Sequence, residues 1–173
     1  VVSAVPSHGT REVMRRAAPL MRPDVTIVSA TKGFEGGTLN RMSEVIQQEA
    51  GPSRSTAVLS GPSFAAELAR GAPTAVLVAS SSPDVTFRVQ EDFRSAYLRL
   101  YASDDVVGVE VGGAMKNVIA IAAGVVEGLG LGSNALAALM TRGLAEISRL
   151  AYAMGGRRET LAGLSGLGDL ILT

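Results

Sequence analysis

The 173-residue sequence contains no cysteine, no tryptophan and a single histidine, His8. The first absence excludes a disulfide framework, a cysteine-ligated zinc site and a cysteine nucleophile. With one histidine, neither a histidine-built metal centre nor a Ser-His-Asp triad can be assembled within one chain. Net charge is absent too, with 16 basic and 16 acidic residues. A general electrostatic grip on nucleic acid or on an anionic lipid surface is therefore not expected. No uninterrupted apolar run approaches the ~18 residues of a membrane-spanning helix. The longest such stretch, Val118 to Val126, is closed by Lys116 and Glu127. No secretory leader is legible at the start, and a cytoplasmic location is the expectation.

Lysine is the scarcest common residue. Fourteen of the 16 basic residues are arginine and two are lysine, Lys32 and Lys116. Lysine differs from arginine in that burial can strip its proton. Each of these two positions therefore merits reading in its own right.

What is present is a dense apolar composition, 47% of residues, with 18% charged. That supports a packed core and excludes a disordered chain. Short β-branched runs at Val1–Val5, Val25–Ala30, Thr56–Ser60, Thr74–Ser80 and Tyr97–Tyr101 predict strands. Helical segments separate them, at about 8–20, 39–49, 62–70 and 82–93. Ser7 is expected to cap the first, and Pro62 to occupy the first turn of the third. Strand–helix alternation with continuous apolar strands predicts a largely parallel α/β sheet. After Ser103-Asp104-Asp105 the strand signal stops. Long small-residue-rich helices are predicted over 106–128 and 134–154, and a short one over 157–163. Residues 163–169 read as a helix-ending loop. The chain divides at about residue 103, into an α/β part (1–103) and a helical part (104–173).

Four segments could carry chemistry. Ser29-Ala30-Thr31-Lys32-Gly33 follows a predicted parallel strand, at the end where ligands of open α/β folds bind. Lys32 there suits a phosphate or a carbonyl oxygen, or is a solvated loop lysine. Ser60-Gly61-Pro62-Ser63-Phe64 again joins a strand to a helix, and Gly61 admits close approach of a ligand; ordinary helix capping is the competing account. Gly112-Gly113-Ala114-Met115-Lys116-Asn117 sets a lysine in an almost uncharged helix, where it must find a partner or reach outward to water. Gly163-Leu164-Ser165-Gly166-Leu167-Gly168-Asp169 supplies Asp169 as a candidate partner for Lys116. Its glycine spacing is not that of the dinucleotide-binding turn, and it does not follow a strand.

Taken in order, Ala4-Val5-Pro6-Ser7-His8, Ser29-Ala30-Thr31-Lys32-Gly33, Leu59-Ser60-Gly61-Pro62-Ser63-Phe64-Ala65, Gly112-Gly113-Ala114-Met115-Lys116-Asn117-Val118-Ile119-Ala120, Thr141-Arg142-Gly143 and Gly166-Leu167-Gly168-Asp169-Leu170 resemble the bacterial NAD(P)-dependent glycerol-3-phosphate dehydrogenases over essentially the whole chain. The resemblance implies part of a Rossmann-type NAD(P)-binding domain over 1–103. It implies the first part of an all-helical, 6-phosphogluconate-dehydrogenase-like substrate domain over 104–173. The implied reaction interconverts dihydroxyacetone phosphate and sn-glycerol 3-phosphate with NAD or NADP, for glycerophospholipid synthesis.

By motif match, Lys116 corresponds to the catalytic lysine. Lys32 would contact both cofactor and substrate, and Gly61 and Ser63 would line the substrate. Ala65 would line the cofactor, Asp169 would contact the substrate or the catalytic lysine, and Asn117 would be a further substrate contact. A homodimer is compatible with the small-residue helices. The family's glycine-rich cofactor turn and its Ser-Arg-Asn phosphate clamp are absent from these residues. The chain is accordingly expected to be an internal fragment with an unpaired sheet edge, weak cofactor binding and little activity of its own. Two other readings stay open: a related two-domain dehydrogenase, and a non-catalytic phosphate-binding module.

Overall fold

The computed structural model describes all of residues 1–173. Five strands form one sheet in the order β1 (Val2–Ser3), β2 (Ile27–Ser29), β3 (Thr56–Ser60), β4 (Thr74–Ala79), β5 (Leu98–Ser103). Helices α1 (Ser7–Ala17), α2 (Met42–Ala50), α3 (Ala65–Ala69) and α4 (Pro83–Phe93) connect them. Beyond β5 the chain is helical: α5 (Val106–Gly128), α6 (Gly132–Ala153), α7 (Arg158–Leu161), a π-helical turn at Leu164–Gly168 and α8 (Asp169–Leu172).

The sheet is parallel from β1 to β3 and again between β4 and β5. Between β3 and β4 it is antiparallel, with Val58 opposite Ala79. A parallel return needs a crossover of a dozen or more residues, usually built on a helix. The 61–73 connection contains only the five-residue α3 and simply turns the chain back.

Alternation along the strands sends Ile27 and Val58 to one face and Val28 and Ala57 to the other. Met14 of α1 and Ile46 of α2 cover Ile27, and Val109 of α5 covers Val58 and Ala79. On the opposite face, Val89 of α4 packs with Val28, Ala57, Val76, Val78 and Leu100. A separate helical core joins Val111, Ile147, Ala151 and Leu161, against which Phe34 from the loop after β2 is packed.

Three local expectations are corrected. Ser7 does not cap α1; Pro6 occupies the cap position with extended backbone, and Ser7 is already helical. Pro62 precedes α3 rather than starting it, because Gly61 turns at φ 136° and the Ser63 hydroxyl donates back to the Gly61 carbonyl. Residues 163–169 are not a terminating loop but a π-helical turn leading directly into α8. That turn depends on glycine, since a Cβ on Gly166 would overlap the Leu161 carbonyl group.

Helix α5 is, by length and composition alone, apolar enough to cross a membrane. Its apolar run is nevertheless interrupted by Glu110 and Lys116. In the fold its first half is interior, with Val109 and Val111 fully buried.

Candidate active site

Strands β2 and β3 are parallel neighbours, so their carboxyl ends lie on the same edge of the sheet. There the chain delivers Thr31-Lys32-Gly33 from β2 and Ser60-Gly61-Pro62-Ser63 from β3. Thr31 anchors the first segment, its hydroxyl donating to the Val5 carbonyl at 2.8 Å.

Helix α5 crosses this edge at Gly113. A Cβ at that position would lie 2.8 Å from Ser60 Oγ and 3.8 Å from Lys32 Cγ, so glycine brings the helix onto both strand ends. One residue earlier, a Cβ on Gly112 would lie 2.5 Å from the Ser165 carbonyl oxygen. The π-helical turn is thereby pressed onto α5, and it presents Asp169 to the residue one turn further along, Lys116.

The result is a three-residue charge cluster. Lys116 Nζ donates to Asp169 Oδ1 at 2.5 Å, and Lys32 Nζ donates to Asp169 Oδ2 at 2.5 Å. Asp169 is 1% exposed and Lys116 8%, while the Lys32 side chain remains 27% exposed. Lys116 also donates to Thr173 Oγ1 at 2.9 Å. Burial pushes the Lys32 ammonium below the ordinary lysine range; Asp169 opposes the shift and Lys116 adds to it.

Of the residues expected at the site, the fold brings Lys32, Lys116 and Asp169 into contact. Gly61 is buried at the neighbouring turn, and Ser63 and Ala65 are exposed just beyond it. Asn117 is exposed beside Lys116 and makes no hydrogen bond to the cluster. Thr173 is absent from the expected set. The signal for it was its spacing of four from Asp169, which puts both on one helix face.

Two family models match, described as the N-terminus and the C-terminus of NAD-dependent glycerol-3-phosphate dehydrogenase, over residues 1–86 and 105–173. The chain belongs to this glycerol-3-phosphate dehydrogenase family. It is 55% identical over its whole length to a protein of Acidobacterium capsulatum named glycerol-3-phosphate dehydrogenase [NAD(P)+], of which it covers 52%. A relative of the same name from Thioalkalivibrio sulfidiphilus is 55% identical over 98% of the chain and 51% of its own length.

The crystal structure of glycerol-3-phosphate dehydrogenase from Coxiella burnetii superposes on 99% of the chain at a TM-score of 0.93 and 45% identity, over 52% of its own length. The yeast enzyme GPD1 does so at 0.87 and 30% identity, also over 99% of this chain and 52% of its own. The chain thus spans about half the length of the curated relatives it matches.

The family name implies a nicotinamide dinucleotide, and the residues present fit one flank of its site. Lys32 holds a partly exposed cation at the strand ends, whereas a Cβ on Gly61 would meet the Val76 backbone of β4 at 3.1 Å, so that glycine serves the packing of the sheet. Ala65 adds only a methyl group on the exposed side. No glycine-rich turn between a strand and a helix occurs within the 173 residues to hold a pyrophosphate.

Proposed function

We propose that these residues form part of an oxidoreductase that interconverts dihydroxyacetone phosphate and sn-glycerol 3-phosphate with NAD or NADP, in the service of glycerophospholipid synthesis. The observation that carries this reading is the unbalanced charge of the cluster. Two lysines share one buried carboxylate, so the group retains one positive charge. Glu110, buried on the same helix, is taken up by Arg41 at 2.8 Å and does not neutralise it. An uncompensated cation inside a protein is expensive, and an anionic ligand relieves it. A small ketose phosphate offers both a phosphate and a carbonyl oxygen of developing negative charge.

In this reading the bound nicotinamide supplies the hydride. Lys116, oriented by Asp169 and Thr173, stabilises the charge that develops on the C2 oxygen and passes it a proton from Nζ. In the reverse direction the same nitrogen accepts the proton from the C2 hydroxyl. Lys32, the more exposed of the pair, reaches the substrate and the cofactor. Gly61, Ser63 and Asn117 border the substrate, and Ala65 borders the cofactor. Residues 1–103 belong to the cofactor domain and 104–173 to the substrate domain, with the cluster at their junction. Isolated residues 1–173 are expected to turn over slowly or not at all, since they hold one flank of the cofactor site.

The test is NAD(P)H oxidation with dihydroxyacetone phosphate, using the complete gene product that carries these residues and its Lys116→Ala variant. Turnover lost in the variant supports the assignment. A folded wild-type protein with no turnover defeats it.

A further inference from the structure

Three carboxylates are buried in the protein: Asp105, Glu110 and Asp169. Asp169 belongs to the lysine cluster. Asp105 caps α5 by accepting the Gly108 N–H at 2.8 Å. Glu110 has no part in either, and every group that faces its oxygens is a donor. Its Oε1 accepts the Ser43 N–H at 2.8 Å, and its Oε2 accepts the Ser43 hydroxyl at 2.6 Å and Arg41 Nη1 at 2.8 Å.

Ser43 lies in the first turn of α2, whose N–H groups have no partner within the helix. Glu110 therefore caps a helix 67 residues away in sequence. Arg41 is itself fixed, its Nη2 donating to Glu44 at 2.7 Å. It also bridges back to Phe34, the residue that packs into the helical core beside Val111.

The loop 34–41 thus reaches the helical part at both ends, Phe34 packing against the core of α5, α6 and α7 and Arg41 binding Glu110 of α5. Lys32 sits two residues before this loop. Glu110 and Gly113 are neighbours on the helix surface, three residues apart, and Gly113 is where α5 meets Ser60 and Lys32. Rotation of α5 about its axis would separate all of these contacts and swing Lys116 away from Asp169.

We propose that Glu110 is a positioning residue. By capping α2 and holding Arg41 it sets the rotation of α5 and so keeps Lys116 within reach of Asp169 and Lys32. This rests on the reading of Lys116 as the proton donor.

The scarcity of lysine supplies a readout beside activity. In these residues Lys32 and Lys116 are the only side-chain amines, so acetylation followed by peptide mass spectrometry reports on the cluster alone. In the complete gene product, Glu110→Gln presents an amide N–H₂ to a ring of donors. Its kcat for dihydroxyacetone phosphate should fall about tenfold or more, the scale of one charge-assisted hydrogen bond, with KM moved less. Lys116 should acetylate correspondingly faster. Glu110→Asp, which keeps an acceptor, should recover part of both. Ser43→Ala, which removes one donor without leaving a buried charge unpaired, should shift both readouts the same way by less, and it serves if Glu110→Gln does not fold.

Folded variants whose kcat and Lys116 acetylation match wild type, even with a lowered Tm, would overturn the proposal. Should the wild-type protein not reduce dihydroxyacetone phosphate, the reading of function fails, and the acetylation ratio alone still decides whether Glu110 positions Lys116.

Discussion

Two ion clusters in this molecule have opposite designs. On the outer side of α1 and α2, Arg11 sits between Glu35, at 2.5 Å, and Glu49, at 2.6 Å, with Arg15 adding a second cation at 3.1 Å from Glu49. Two cations meet three anions there, Glu12 joining Arg15 at 3.4 Å, and the side chains remain in contact with water. At the strand ends, two cations meet one anion that is almost wholly buried. The first cluster is complete in itself and ties the loop after Lys32 to the helices beneath it. The second is left with one cation more than it has carboxylates, the excess that an anionic substrate balances in the proposed reading. Burial, together with cations that outnumber carboxylates, separates the inner cluster from the outer one.

Breaking the inner cluster should have the largest effect. Lys116→Ala should lower kcat/KM by about 10²- to 10⁴-fold, the range for a general acid or base, as measured by NAD(P)H oxidation. Asp169→Asn should come next. Removing one partner of a buried pair costs about 3–5 kcal/mol, and the lower end applies here because Lys32 is partly hydrated. Thermal denaturation should show this as a lowered Tm. Inorganic phosphate should raise the Tm of Asp169→Asn more than that of wild type, because the variant's uncompensated charge is larger. An equal response in the two proteins would count against the cluster as an anion site.

Gly112→Ala tests the support beneath the cluster. Its Cβ meets the Ser165 carbonyl oxygen, so the π-helical turn must move, at a cost of about 1–3 kcal/mol. Both Tm and kcat should fall, since the same turn carries Asp169.

The outer cluster should yield the smallest effect, confined to acid. Its hydrogen bonds to Arg11 hold the Glu35 carboxyl down, from 4.5 to about 2. A depressed carboxyl contributes stability that is complete above pH 4.5 and is lost as pH falls through about 2. Glu35→Gln should therefore flatten the fall in stability over that window and leave turnover at neutral pH unchanged. A denaturation series in pH measures it. A loss of turnover at pH 7 would blur the distinction between the two clusters.

Most elements were legible because their signals are local. The β-branched run at Thr56–Ser60 and the Ser82-Pro83 start of α4 coincide with the observed boundaries. The whole of α5 does so too. Lys32 and Lys116 stood out because lysine is otherwise missing, and Asp169 because it follows a run of three glycines near the end of the chain. The antiparallel step from β3 to β4 was not legible, since strand direction depends on how a short connection is accommodated by the rest of the sheet. Nor was the contact of Glu110 with Ser43, because nothing in either segment refers to the other.

By itself, then, the sequence determined the succession of strands and helices, the change of character near residue 103 and the residue types able to do chemistry. Backbone preference and hydrophobic periodicity act over a few residues and are written there. Only the tertiary structure decided that Lys32 and Lys116 share the one buried carboxylate of Asp169, and that Glu110 caps a helix from another part of the chain. Those contacts join residues 137, 53 and 67 positions apart. They exist because three glycines, Gly112, Gly113 and Gly166, let backbones approach more closely than any side chain would permit.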